Sequence, residues 1–207
     1  MGRGLRFPVL GVFGVLMGGL LPGLAAQSTG LPTYNAPYRA FAETERGLGV
    51  AFPGGGEVAF EGMLGFGRNT WDVRFRGGVA AGRGPTDEVV IMFGTEVRQR
   101  VITHTEDFPA DGALILGAGA TLGDNNNRLI LPIGLSLGRR LDVEDSDVSI
   151  VPYVQPTVLL VTGDGGGSAN FSLGLGGDFR LTPRFDLRVA IGLGDIDGFS
   201  VAGVWVR

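Results

Sequence analysis

NFSLGLGGDFRLTPRFDLRVAIGLGD, residues Asn170 to Asp195, is the stretch whose reading decides the fold. It holds two alternating runs joined at Thr182-Pro183. In the first, Phe171, Leu173, Leu175, Phe179 and Leu181 share one face, with Gly177 among them, against Ser172, Gly174, Gly176, Asp178 and Arg180. In the second, Phe185, Leu187, Val189, Ile191 and Leu193 stand against Asp186, Arg188, Ala190, Gly192 and Gly194. A period of two is the signature of a strand, because successive side chains point to opposite faces. Each run is about ten residues, the length a tilted strand needs to cross a bilayer. The apolar face carries no charge, while Asp178, Arg180, Asp186 and Arg188 crowd beside the turn on the other face. A soluble barrel or sandwich would turn the apolar face inward and fill the wet face with Lys, Glu and Thr rather than repeated Gly. Glycine opposite large apolar residues fits a narrow barrel interior, so the hairpin reads as part of a transmembrane β-barrel.

Composition agrees. Glycine makes up 38 of 207 residues, far above the usual ~7%, and is spread through the alternating runs without a collagen period. The absence of cysteine excludes disulfides and thiol chemistry. Net charge is −4, every basic residue is Arg, and no basic cluster points to nucleic acid. Residues 1–26 read as a secretory signal peptide: Arg3 and Arg6, an apolar core from Pro8 to Leu21, then the small-residue run Gly23-Leu24-Ala25-Ala26. Residues 27–44, polar and irregular with Pro32 and Pro37, read as a periplasmic lead-in, and residues 45–207 as the barrel. Beyond the signal peptide no apolar run reaches the roughly 18 residues of a helical span, so an exported chain of membrane-length strands points to the outer membrane.

Ten strand candidates follow in order, with eight as the alternative if the first hairpin does not span. Leu48, Val50 and Phe52 point outward from the first, and Val58, Phe60, Leu64 and Phe66 from the second, with Glu61 inward. The third alternates Trp71, Val73, Phe75 and Val79 against Asp72, Arg74, Arg76 and Ala80. The fourth sets Val89, Ile91, Phe93, Thr95 and Val97 against Met92, Gly94, Glu96, Arg98 and Arg100. The fifth, 113–122, has no clear facing. The sixth sends Leu129, Leu131, Ile133, Leu135 and Leu137 out, with Gly134, Ser136, Gly138 and Arg140 on the other side. The seventh, about 148–160, holds Pro152 and Pro156, which lack a ladder donor and predict a bulge or local unpairing. The Asn170–Asp195 hairpin supplies two more, and Phe199 to Val206 closes the set. An even number puts both termini on the periplasmic side, with 68–69, 104–111, 142–146 and 182–183 as periplasmic connections and short outer loops at 53–56, 82–87, 124–127, 161–168 and 195–198.

The chain after residue 26 resembles small Gram-negative outer-membrane β-barrels of the OmpA-like or OmpX-like size class. The resemblance rests on the signal peptide, the dyad repeat and the closing strand Phe199-Ser-Val-Ala-Gly-Val-Trp-Val-Arg207. That strand is similar to the C-terminal signal read by the barrel-assembly machinery, although the class ends on an aromatic residue and here Trp205 is third from the end. The resemblance implies outer-membrane lipid and the assembly machinery as partners. It carries no functional residues across.

The expected site is a cluster of inward charges near the periplasmic end: Asp72, Arg74, Arg76, Glu96, Arg98, Arg100, Arg140, Asp178, Arg180, Asp186 and Arg188. Five strands contribute to it. Mixed signs allow the pairing that offsets desolvation, so the first expectation is a structural ion-pair plug. The alternative is a porin-like constriction whose Arg excess favours small anionic solutes, with a cavity above it among the small residues. A soluble periplasmic binding barrel is the third reading. Catalysis is not expected: His104, in Thr103-His104-Thr105-Glu106-Asp107, is the single histidine and has no Ser beside it. No cofactor or metal is expected either. Asp142, Glu144, Asp145 and Asp147, and the Asp195-Ile196-Asp197-Gly198 turn, lack the calcium-loop ligand set. Gly65-Phe66-Gly67 and Gly165-Gly166-Gly167 precede no helix and so carry no phosphate-binding loop. Trp71, Phe108, Phe179, Phe185 and Trp205 at one end, and Phe52, Phe171 and Phe199 at the other, suit interfacial girdles.

Overall fold

The computed structural model describes residues 28–37, 44–81, 89–123, 127–146, 148–163 and 166–207. The expected signal peptide, the loop 82–87, most of the loop 124–127 and Asp147 lie outside the described residues. The strands are β1 Thr44–Pro53, β2 Val58–Arg68, β3 Trp71–Ala81, β4 Val89–Ile102, β5 Asp111–Leu122, β6 Arg128–Gly138, β7 Leu141–Asp142, β8 Ser149–Gly163, β9 Gly166–Thr182, β10 Phe185–Gly194 and β11 Gly198–Val206. All pairings are antiparallel. Successive long strands are neighbours, β6 pairs with β8 past the two-residue β7, and β11 returns to β1 with Val206 opposite Glu45. The ten long strands therefore close into an up-and-down barrel, which leaves no sheet edge to pair elsewhere.

β1 begins and β11 ends on the same rim, where the Thr44 amide donates to the Arg207 carbonyl at 3.0 Å. We call this the terminal rim; it also carries the connections at 69–70, 103–110, 143–148 and 183–184. The far rim carries 54–57 and 195–197. Alternation sorts the side chains as expected. Leu48, Phe60, Phe75, Ile91, Phe93, Ile133, Phe171 and Ile191 are exposed on the outside, about half or more of their surface open, while their strand neighbours are buried. The fifth strand, unreadable from sequence, follows the same rule: Leu114, Leu116 and Leu122 point out, and Ala113, Ile115, Gly119 and Thr121 point in.

Of the two outcomes predicted for the prolines of β8, the structure shows local unpairing. The ladder with β9 runs unbroken through Pro152, opposite Gly177, and Pro156, opposite Leu173. Toward β6 the pairs between Leu135–Ser136 and Gln155–Pro156 drop out, yet the register is the same on both sides of the gap. The strand is locally unpaired without being bulged. A proline in an outward position loses one donor and leaves the pleat intact.

Candidate functional site

The largest difference from the sequence expectation concerns the lead-in. Residues 28–37 lie inside the barrel instead of outside it: Ser28, Thr29, Leu31, Tyr34, Asn35 and Ala36 have almost no exposed surface. The segment turns at Gly30, whose φ of 79° is in the left-handed region glycine tolerates. It forms no ladder with the wall. Its polar groups are met by side chains instead. The carbonyls of Pro32, Tyr34 and Asn35 accept from Ser200 (2.7 Å), Tyr153 (2.9 Å) and Ser136 (2.7 Å), and that of Ala36 accepts from Arg98. Thr29 donates to Glu61 at 2.6 Å, Ser28 donates to Glu96 at 3.1 Å, and the Tyr34 and Ser172 hydroxyls share a hydrogen bond.

The wall makes room by withholding side chains. A Cβ on Gly94 or Gly119 would run into Ser28, and one on Gly174 would run into the Tyr34 ring. Toward the far rim, Leu31 packs among Ala51, Ala59, Ala80 and Met92, and Tyr34 among Ile130, Leu159, Ala190 and Ile196. Among the described residues, the segment and its neighbours occupy the half in which an open cavity was expected. A void of about 10 Å³ lies beside Thr33, Met63 and Arg188, the space of roughly one water.

Toward the terminal rim the segment sits on the charge cluster. Opposite charges face each other directly across the ladders: Asp72 and Arg98, Arg74 and Glu96, Asp178 and Arg188, Arg180 and Asp186. Arg188 holds Asp178 with two bonds of 2.9 and 2.8 Å, Arg98 holds both oxygens of Asp72, and Arg180 reaches Asp186 at 2.8 Å. Arg74 crosses β2 to Glu45 at 2.6 Å, a route left open by Gly65, which lies between them on β2. Arg76 joins Glu61 at 2.8 Å and Glu96 at 3.3 Å. At the centre lies Asn35. Its side-chain oxygen accepts from Arg74, from Arg76 (2.9 Å) and from Arg188 (3.1 Å), while its amide nitrogen donates to Glu96 at 3.3 Å.

Nine of the eleven expected residues are brought together. Arg140 is not: it lies past the end of β6, half exposed, and pairs with Asp142 at 2.6 Å. Arg100 lies apart as well, one turn nearer the rim, beside Thr103, His104 and Asp111 in an open polar hollow. Two members were missed. Glu45 is fully buried and contacts Arg74 and Arg188, and Glu61 is 6% exposed. Among the described residues five arginines (Arg74, Arg76, Arg98, Arg180, Arg188) meet six carboxylates (Glu45, Glu61, Asp72, Glu96, Asp178, Asp186), which shows no arginine excess. His104 bonds Asp111 at 3.0 Å on the terminal rim, outside the lumen.

No family model matches the chain, and no curated protein matches it. Among solved structures, it is similar to a de novo designed transmembrane β-barrel, with 12% identity and a TM-score of 0.41 over 84% of this chain and 99% of that one. It is also similar to a bacterial polysaccharide outer membrane secretin, with 8% identity and a TM-score of 0.45 over 73% of this chain and 57% of that one. At this level of similarity the matches say nothing about what the chain does. The description the residues themselves support is a closed ten-stranded antiparallel β-barrel.

Proposed function

We propose that the chain is an exported outer-membrane barrel that is sealed at rest by its own segment 28–37, with the terminal rim in the periplasm. Support for the membrane reading comes from the outer surface. On the ten long strands the outward positions are apolar from rim to rim, apart from Thr95 and a few polar residues near the ends, Arg46 and Arg68 among them, and the other charges are gathered inside. Water would not favour that inversion; hydrocarbon does. The sealed reading rests on one observation, the seating of Asn35 on Arg74, Arg76 and Arg188 inside the barrel. That seating favours the sealed reading over a narrow pore.

The test is single-channel recording of the refolded full chain in a planar bilayer, with folding verified by heat-modifiable migration. A silent bilayer is the expected result. Steady discrete steps from the unaltered chain would overturn the sealed reading, and a chain that stays in solution without detergent would overturn the membrane reading.

A further inference from the structure

Inward glycines such as Gly94, Gly119 and Gly174 make room for the seated segment, and others, such as Gly47 and Gly176, for side chains of the wall; the outward Gly177 and Gly203 lie against Phe179 and Phe185. Gly62 and Gly77 point outward, face each other across the β2–β3 ladder, and are not explained that way. A Cβ added to either meets no atom nearer than 3.7 or 3.8 Å respectively. Glycine inside a strand weakens it, and it commonly marks a place where a ligand or another backbone comes close. Nothing in this protein comes close.

The two glycines floor a groove of about 470 Å³, walled by Leu48, Leu64 and Phe75, which falls within the usual ligand-site range of about 300–1,000 Å³. At its terminal-rim end stand Arg46 and Trp205, opposite each other on β1 and β11. On the ten long strands the outward-facing charges are Arg46, opposite Leu64, and Arg68, opposite Trp71 at the end of β2. Neither has a carboxylate partner among the described residues, in contrast to the paired arginines of the lumen.

We infer that this groove binds one anionic phospholipid, an acyl chain lying over Gly62 and Gly77 and the phosphate meeting Arg46. The inference rests on the membrane reading. An apolar trough that ends at an unpaired guanidinium beside an interfacial tryptophan has the polarity of such a lipid from tail to headgroup. A second copy fits less well. Twofold pairing through one shared patch would turn each Arg46 toward the other, with no carboxylate to separate them.

The chain has two tryptophans, so Trp71→Phe leaves Trp205 as a reporter at the groove mouth. That protein is refolded into phosphatidylcholine vesicles containing either brominated phosphatidylglycerol or brominated phosphatidylcholine. The anionic lipid is expected to reach half-maximal quenching at about fivefold lower mole fraction, the worth of one arginine near an anionic lipid. Arg46→Gln removes the preference. Gly77→Leu, whose Cβ meets no atom nearer than 3.8 Å, fills the groove and lowers quenching by both lipids while heat-modifiable migration is unchanged. Equal quenching by the two lipids in an inserted barrel would overturn this inference and leave the membrane reading standing. Weak quenching by both, with cross-linked dimers that Gly77→Leu abolishes, would assign the groove to a second copy and overturn it too. Failure to insert into any vesicle would overturn the membrane reading itself.

Discussion

Asn35 shows how much one neutral side chain can hold. Three guanidiniums share its oxygen, and none of the six carboxylates nearby takes that place. Hydrogen bonds to charged groups contribute about 1.5–3 kcal/mol, so Asn35→Ala is expected to loosen the seated segment by about that much. The measurement is conductance: brief openings should interrupt an otherwise silent record. Gly174 tests the same seating from the wall. Gly174→Ala places a methyl group in the Tyr34 ring and is expected to destabilise the barrel, by denaturant melting of the folded band, whereas in a Tyr34→Ala background the same change should cost little. Non-additivity of that kind is what direct contact implies. Equal costs in both backgrounds would mean that Tyr34 is not what Gly174 makes room for. The ion pairs beneath are stricter. Asp72→Asn leaves Arg98 buried with a weaker partner, and removing one member of a buried pair costs about 3–5 kcal/mol, so a clear fall in unfolding midpoint is expected.

Strands of this barrel were legible because outward-facing and lumen-facing positions differ so sharply in polarity. Leu129, Leu131 and Ile133 point outward, alternating with Ile130, Pro132 and Gly134; only the buried Ile130, packed near Tyr34, breaks the contrast in size. β5 resisted reading for a physical reason: its inward side has to be small where Ser28 lies against Gly119, so both of its faces look alike. Pro156 was legible as a point of local unpairing, and its outward position lets the pleat continue past the missing donor. The depth of a position is the element-scale prediction. Ile133→Arg, at the middle of β6, should cost about 2–4 kcal/mol, and Leu181→Arg, next to last in β9, about 0–1 kcal/mol, as measured by refolding into vesicles. Equal costs would place the apolar belt elsewhere on the strands.

At the scale of the whole molecule, the charge cluster was visible in the sequence and its purpose was not. Cross-strand partners such as Asp72 and Arg98 follow from strand parity, but Glu45 was hidden by its place at the first turn of β1, next to the outward Arg46. The segment from Ser28 to Pro37 has no periodicity and reads as a linker, because every partner it has is distant in the chain. One signal was present all along: a lumen lined by glycines and alanines has to be filled by something.

Where those partners come from also sets an order of events. Within ten residues the segment bonds to β2 through Thr29, β4 through Ser28, β11 through Pro32, β3 through Thr33, β8 and β9 through Tyr34, and β6 and β10 through Asn35. No partial assembly offers that full set. A segment made before every strand is therefore the last to find its place, and a protease added during assembly would cut this decapeptide until β11 meets β1. Its burial would then report, for each copy separately, that the cylinder is complete.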